Sequence, residues 1–387
     1  MNTHYLMSAF IRFVFVMAVT SLLGRFSFGK PELLAESSKP STIVLLYTFN
    51  PTDSKEEYEN LTEVANFGFE RYELETHKKL HLKIVAVDDR DSPQHAEEAL
   101  RKVVTKSKPV AVIGPLYSNV AMGLKDYINE IQVPMMSIFA THNDLTKGSQ
   151  FMFRICASNR RVVKSMADFL IPIVEEGRKK KISYHIKVFK DITDDYSTDL
   201  ADTFRYNTKG FEDNTEEILF RGLGGLERLR DLNANVWKPT KQDIYFLPVR
   251  DLIAGHIISS LESEPFLVTA IDTVNFLNLV NKMKNQKTHT RLVTTSQWIP
   301  QKSDYSKTIE AAFRARFKRD MTITSALTFD AAYTIANAYG RSQDRGVLLV
   351  DSLRDSTKMT GVTGLILIQP DGERLFSDQF LKDEFIE

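Results

Sequence analysis

From Thr42 onward, short runs of β-branched and aliphatic residues alternate with longer stretches whose apolar residues recur every three or four positions. The run 42–48 is continuously apolar and too short for a helix, so it reads as a buried strand; 82–87, 109–113 and 135–138 read the same way. Between them the spacing predicts helices over 54–74, with Ser54 as a cap and Leu61, Val64 and Ala65 on one face, over 93–106, and over about 119–130. After Ser158 the alternation restarts. A helix over 160–176 precedes a strand at 183–189 and a helix at 198–206. Strands follow at 217–220, 243–247, 266–269 and 291–295, helices at 308–317 and 326–339, and a last strand at 364–368 enters the turn Pro370-Asp371-Gly372. Strands alternating with helices imply parallel sheets covered on both faces. Two successive sets imply an α/β protein of two similar lobes, each a parallel-rich sheet flanked by helices and joined by hinge crossovers.

In open α/β sheets, ligands bind in the crevice beyond the carboxyl ends of the strands. Here those ends carry Asp88-Asp89, Gly114-Pro-Leu-Tyr-Ser-Asn119 and Phe139-Ala-Thr-His-Asn143, and in the second half Asp194-Asp-Tyr-Ser197. Each precedes a predicted helix whose first N–H groups suit an anion or a carbonyl, with Ser118 and Thr141 adding hydroxyls. Capping of those helices by Ser118 and Thr141 is the plainer alternative and is compatible with ligand contact.

Composition narrows the function. Fifty basic residues balance 50 acidic ones, so no global field gathers nucleic acid, and Arg178-Lys179-Lys180-Lys181 reads as a solvated loop. The single thiol, Cys156, forms no intramolecular disulfide and lies in a strand-like apolar run, which suits a buried structural cysteine. At the start, Phe13–Leu23 is apolar, flanked by Arg12 and Arg25, and shorter than a membrane span needs. With Ser27-Phe28-Gly29 behind it, it suits a secretory signal peptide over 1–29, followed by a linker over 30–41. The expected product is periplasmic or otherwise extracytoplasmic and soluble after signal cleavage, with an uncleaved N-terminal anchor as the open alternative.

Catalytic signatures are missing. No Gly-x-Ser-x-Gly elbow, phosphate-binding glycine loop or Cys/His metal spacing occurs, and His77 and His81 have no evident third ligand. Asp88-Asp89 and Asp194-Asp195 read as charges at strand ends and helix starts rather than as a glycosidase pair. No enzyme, metal or cofactor is expected. His142 reads chiefly as a solvated loop histidine, and Asn60-Leu-Thr62 matches a glycosylation acceptor.

Val110-Ala-Val-Ile-Gly-Pro-Leu-Tyr-Ser118, Val133-Pro-Met-Met-Ser-Ile-Phe-Ala-Thr141, Asp144-Leu-Thr146, Phe153-Arg154 and Asp195-Tyr196-Ser197 occur in a shared order and spacing. So do Phe329-Asp-Ala-Ala-Tyr333 and Thr363-Gly364 with Pro370-Asp-Gly372. Together they resemble the type I periplasmic binding proteins, in particular the leucine/isoleucine/valine-binding-like subunits of ABC importers. The resemblance implies lobe 1 over 42–157 plus 302–354 and lobe 2 over 158–301 plus 355–387, crossing near Ser158, Gln301 and Asp355. It places Tyr117, Ser118, Ala140 and Thr141 on the first wall of a ligand cleft and Tyr196 on the second, with Gln297 and Trp298 contributing. It also implies a small polar or carboxylated ligand and a membrane permease or receptor as partner. Amino-acid binders of this type carry an acid where this chain has Thr295-Ser-Gln-Trp298, and a desolvated ammonium without a counter-charge is costly. Asp251 and Asp272 stay open as substitutes. An apparent additional strand–helix unit, with Phe246-Leu-Pro-Val249, resembles outer-membrane activators of peptidoglycan synthases. That leaves a ligand-poor regulator of a protein partner as the alternative function.

Overall fold

A computed structural model describes residues 39–48, 60–271, 291–376 and 381–385 of the 387-residue chain. The expected signal peptide, most of the linker, the Ser54 cap and Asp272 lie outside the described residues.

The first sheet contains β1 (Ser41–Tyr47), β2 (Leu82–Asp88), β3 (Ala111–Ile113), β4 (Met135–Ser137) and β5 (Met152–Arg154), ordered β2-β1-β3-β4-β5 with every pairing parallel. Ile43 to Leu46 are fully buried, as expected for a parallel strand covered on both faces. Helices α1 (Leu61–Thr76), α2 (Pro93–Ser107), α3 (Ser118–Gly123) and α4 (Lys125–Ile131) link these strands. The expected single helix over 119–130 is thus two short ones meeting at Leu124. Asn60 stands at the N-cap of α1.

The second sheet contains β6 (His185–Asp191), β7 (Thr215–Phe220), β8 (Asp243–Leu247), β9 (Leu267–Ala270) and β10 (Arg291–Thr295), parallel throughout. Its helices include α5 (Asn159–Lys179), α6 (Asp195–Asn207), α7 (Gly222–Leu232) and α8 (Asp251–Ser259). The chain then returns to the first core through α9 (Asp304–Phe317), α10 (Ile323–Arg345) and α11 (Leu349–Arg354). Gly68 lets α1 approach α10 closely: a Cβ there would stand 2.8 Å from the Phe329 carbonyl oxygen and 2.9 Å from the Ala332 Cβ.

Residues 355–387 divide differently from the expectation. The hairpin of β11 (Met359–Gly361) and β12 (Gly364–Ile366) packs through Val362, Ile366 and Ile368 into the first-sheet core. Buried Asp330 accepts from the Val362 and Thr363 N–H groups at 2.8 and 3.0 Å, and fully buried Arg374 lies 3.9 Å from its carboxylate. This charged, apolar anchor keeps the hairpin with the first sheet, so the third connection begins after Ile368 rather than near Asp355, and Phe376 already packs on the second core. Only β13 (Leu381–Phe385) joins the second sheet, antiparallel to β10 at its edge.

The three connections are tied side by side. The Ala157 N–H donates to the Gln297 side-chain oxygen at 2.5 Å, joining the first crossing to the second. The Arg374 Nη1–H donates to the Ile155 carbonyl at 3.1 Å and the Arg154 N–H to that of Gly372 at 3.1 Å, joining the first to the third.

Candidate functional site

Strand order reverses between β1 and β3 in the first sheet and between β6 and β8 in the second. Such switch points open crevices at the carboxyl ends of the strands. The segments that leave them are 114–118 after β3, 191–196 after β6 and 248–250 after β8.

Gly114 sets the first wall. Its φ is +106°, and a Cβ would lie 1.9 Å from the Leu46 carbonyl oxygen, so a side chain is excluded both by conformation and by contact. The tight passage past β1 leads into Tyr117, the extended N-cap residue of α3, and buried Ser118, its first residue. On the adjoining strand end, the Ala140 N–H donates to the Ser137 Oγ at 3.0 Å, and the Ala140 carbonyl accepts from the Cys156 thiol at 3.4 Å. Thr141 is fully buried, its carbonyl held by the Asn159 N–H at 2.7 Å, yet its Oγ1 has no hydrogen-bond partner in the protein. Buried hydroxyls are normally satisfied, and an orphan costs about 1–3 kcal/mol.

From the second sheet, Asp194 caps α6 by accepting from the Tyr196 N–H at 3.3 Å. Half-buried Tyr196 donates its hydroxyl to the Ile271 carbonyl at 3.3 Å. Helix α6 packs against α3, with the Asp194 turn at the start of α6 linked to Asn119 of α3 through Arg250. Nearer the hinge, Asn143 reaches across: its N–H and Nδ2–H donate to Asp199 at 3.1 Å each, and its Nδ2–H to the Thr203 hydroxyl at 2.8 Å. His142 Nδ1 accepts the Asp144 N–H at 3.1 Å, while its Nε2 lies 3.9 Å from Asp199.

Arg250, which sequence reasoning missed, bridges the two walls. From the N-cap of α8 it donates to Asp91 at 3.0 Å and Asn119 at 3.3 Å on the first lobe, and to Asp194 at 3.2 Å on its own. Its guanidinium also lies 4.4 Å over the Tyr117 ring. Burial pushes the Asp194 carboxyl upward, with Arg250 pulling it back. Burial opposes the Arg250 charge, but Asp194 and Asp91 more than offset it and hold the guanidinium protonated. The signal that would have found Arg250 was positional, since it stands just beyond a switch-point strand. Asp251, offered as an ammonium partner, opens α8 beside it.

The remaining expected residues are placed elsewhere. Gln297 accepts from Ala157 at the hinge, and Trp298 packs into the first core; both line a separate cavity against the β11–β12 hairpin, rather than joining Ser118 and Tyr196. Cys156 is buried, as a structural cysteine is expected to be.

The two sheets with their switch-point crevices give a bilobal α/β fold of the type I periplasmic binding kind. The comparisons agree. The family described as periplasmic binding protein matches residues 78–208. An amino acid binding protein of Pseudomonas aeruginosa is 26% identical over 158 residues, an alignment spanning 41% of this chain and 39% of that relative. Among solved structures, a leucine binding protein from Thermotoga maritima has TM-score 0.70 at 17% identity, covering 89% of this chain and 97% of that one. A branched-chain amino acid transporter substrate binding protein from Streptococcus pneumoniae, in complex with isoleucine, has TM-score 0.70 at 18% identity, with 87% and 94% covered. A solute binding protein from Rhodopseudomonas palustris, in complex with benzoate, has TM-score 0.65 at 16% identity, with 90% and 93% covered. At these identities the structural likeness establishes the fold. Among the described residues, no helix is long and apolar enough to cross a membrane.

Proposed function

We propose that the chain is a non-catalytic, extracytoplasmic solute-binding protein that captures a small polar or carboxylated ligand between its lobes and presents it to an ABC importer. The observation that carries this reading is the orphaned Thr141 Oγ1, fully buried at the strand-end crevice beside Ser118. A ligand oxygen completes its hydrogen bonding, with the α3 N-terminus and Ser118 as neighbouring donors. Tyr196 closes from the other side, and hinge rotation between lobe 1 and lobe 2 admits the ligand. Closure follows because a ligand touching both walls binds the closed state more tightly. The names of the related proteins support amino acids and aromatic acids as the first compounds to try. Membership of an importer, with a permease as partner, is part of the same proposal.

Thermal-shift and calorimetric titration across amino acids, amides and aromatic acids tests the reading, since a ligand that binds only the folded state raises Tm by mass action. Thr141→Val then separates site from scaffold. Ligand-free, the variant keeps or gains up to about 1 kcal/mol of stability, because an unsatisfied hydroxyl is removed. With the best ligand it loses most of the shift. An unchanged ligand shift in Thr141→Val moves the site elsewhere.

A further inference from the structure

We propose that the interlobe cavity beside Arg250 takes the cationic end of a solute, an amine or guanidinium, so that the cleft selects compounds carrying a distal positive charge. This rests on the cleft reading above and adds the charge class. The cavity measures about 240 Å³, room for the end of a small molecule rather than the whole of one. Its lining residues Asn119 and Asp195 are chain neighbours of Ser118 and Tyr196, so it adjoins both proposed walls.

Four carboxylates, Asp91, Asp191, Asp194 and Asp195, line the cavity against a single cation, Arg250. Arg250 is already answered: it donates to Asp91 at 3.0 Å, to Asp194 at 3.2 Å and to Asn119 at 3.3 Å. Asp191 and Asp195 are left over. Asp191 is the independent pointer to an occupant. It is 6% exposed, and its Oδ1 takes the Thr193 N–H at 2.9 Å, the Thr193 hydroxyl at 2.6 Å and the Gly222 N–H at 3.0 Å. Its Oδ2 takes no donor from the described residues and keeps contact with solvent on the cavity that Asp191 lines.

Asp195, in the first turn of α6, is exposed and likewise has no partner among the described residues. The positive end of α6 does not reverse the sign, because Asp194 caps it and Asp195 stands beside it. An almost buried carboxylate with one oxygen unmet gains most from a charged donor. Among the described residues, no three acidic or histidine side chains converge as metal ligands. Carboxylates so dispersed suit the separated N–H donors of an ammonium or guanidinium rather than a bare divalent ion. Val249 and Ile253 leave an apolar side for the methylene stem of such a group.

Calorimetric titration of the full chain with L-arginine and L-citrulline is the test, since citrulline replaces the guanidinium with an uncharged urea of the same shape. Arginine is expected to bind about ten- to hundredfold tighter, the worth of charge-assisted hydrogen bonds. Asp195→Asn, at an exposed position, cuts this ratio several-fold. Asp191→Asn, which keeps an oxygen for Thr193 and Gly222, cuts it further. Equal affinity for arginine and citrulline, or a ratio unchanged in both variants, overturns the proposal; the cleft reading then still stands where Thr141→Val weakens both ligands alike. Agmatine, which lacks the carboxylate, separates the two readings from the other side. Agmatine binding that needs Asp191 but not Thr141 keeps the cation site and sinks the cleft reading. No binding by either arginine or agmatine overturns the cation site outright.

Discussion

Replacing Arg250 with glutamine tests whether the lobes are held together before any ligand arrives. The substitution removes a charge-assisted bond to Asp91 at 3.0 Å, a bond to Asn119 at 3.3 Å and the stacking over Tyr117. Hydrogen bonds to charged groups are worth about 1.5–3 kcal/mol when buried, and exposed ion pairs about 0.2–1 kcal/mol. The side chains of Arg250 and Asp91 are 31% and 38% exposed, so the bridge falls between these limits. About 1–2 kcal/mol is the reasonable value for the closed arrangement, roughly a 5- to 30-fold change in the closed-to-open ratio. Energy transfer between dyes at exposed positions such as Lys102 and Arg228, one per lobe, reads that ratio in ligand-free protein. Wild type gives higher transfer than Arg250→Gln. Raising salt from about 0.1 M to 1 M shrinks the screening length from about 10 Å to 3 Å and opens wild type toward the variant, which itself responds little. Arg250→Lys keeps the charge without the planar fork and falls between them. Equal transfer in wild type and Arg250→Gln, with the same salt response, refutes the bridge as a closing element.

Three further substitutions probe the scaffold. Asp330→Ala strands the buried Arg374 charge and the Val362 and Thr363 N–H donors, so denaturant unfolding is expected to show a loss of about 3–5 kcal/mol; a loss below about 1 kcal/mol contradicts the anchoring role. Gly114→Ala combines a positive φ with a clash on Leu46 and is expected to cost about 1–3 kcal/mol or more, and to weaken ligand binding by displacing Ser118; unchanged Tm and affinity count against the argument. Asp89 is fully buried, accepts from Thr48 at 2.5 Å and from the Asp91 N–H at 3.0 Å, and has an orphaned Oδ2; burial pushes its carboxyl up. The folded state therefore holds this proton more tightly than the unfolded chain, and the stability it contributes is full below the ordinary carboxylate range and lost as pH rises through the raised value. Unfolding followed against pH should thus show wild type losing ground to Asp89→Asn as pH rises through that window, and a gap that widens on acidification instead contradicts the reading.

What was legible in the sequence follows from what patterning encodes. Buried parallel strands such as β1 announce themselves as apolar runs, and amphipathic helices as three- and four-residue spacing. Helix α8 was not foreseen because Asp-Leu-Ile-Ala-Gly-His-Ile-Ile-Ser is apolar on most sides and carries little period. Strand β13, Leu-Lys-Asp-Glu-Phe, is held at an edge by backbone pairing with β10, which leaves no apolar alternation to read. The first wall of the proposed cleft is local in sequence, since Tyr117, Ser118, Ala140 and Thr141 each follow a readable strand end. Arg250 was not, because its role depends on Asp91 and Asn119, more than a hundred positions away and on the opposite lobe. Gln297 was expected at the ligand, but the Ala157 amide claims its oxygen.

The side-by-side bonding of the lobe crossings has a mechanical consequence. Separate strands would let the lobes twist and slide as well as open. Strands stitched at Ala157–Gln297 and Ile155–Arg374 behave like a strip of tape, stiff within its plane and compliant only across it. In the hinge opening proposed above, this stitching restricts twist and slide, so a single interlobe distance is expected to follow the motion.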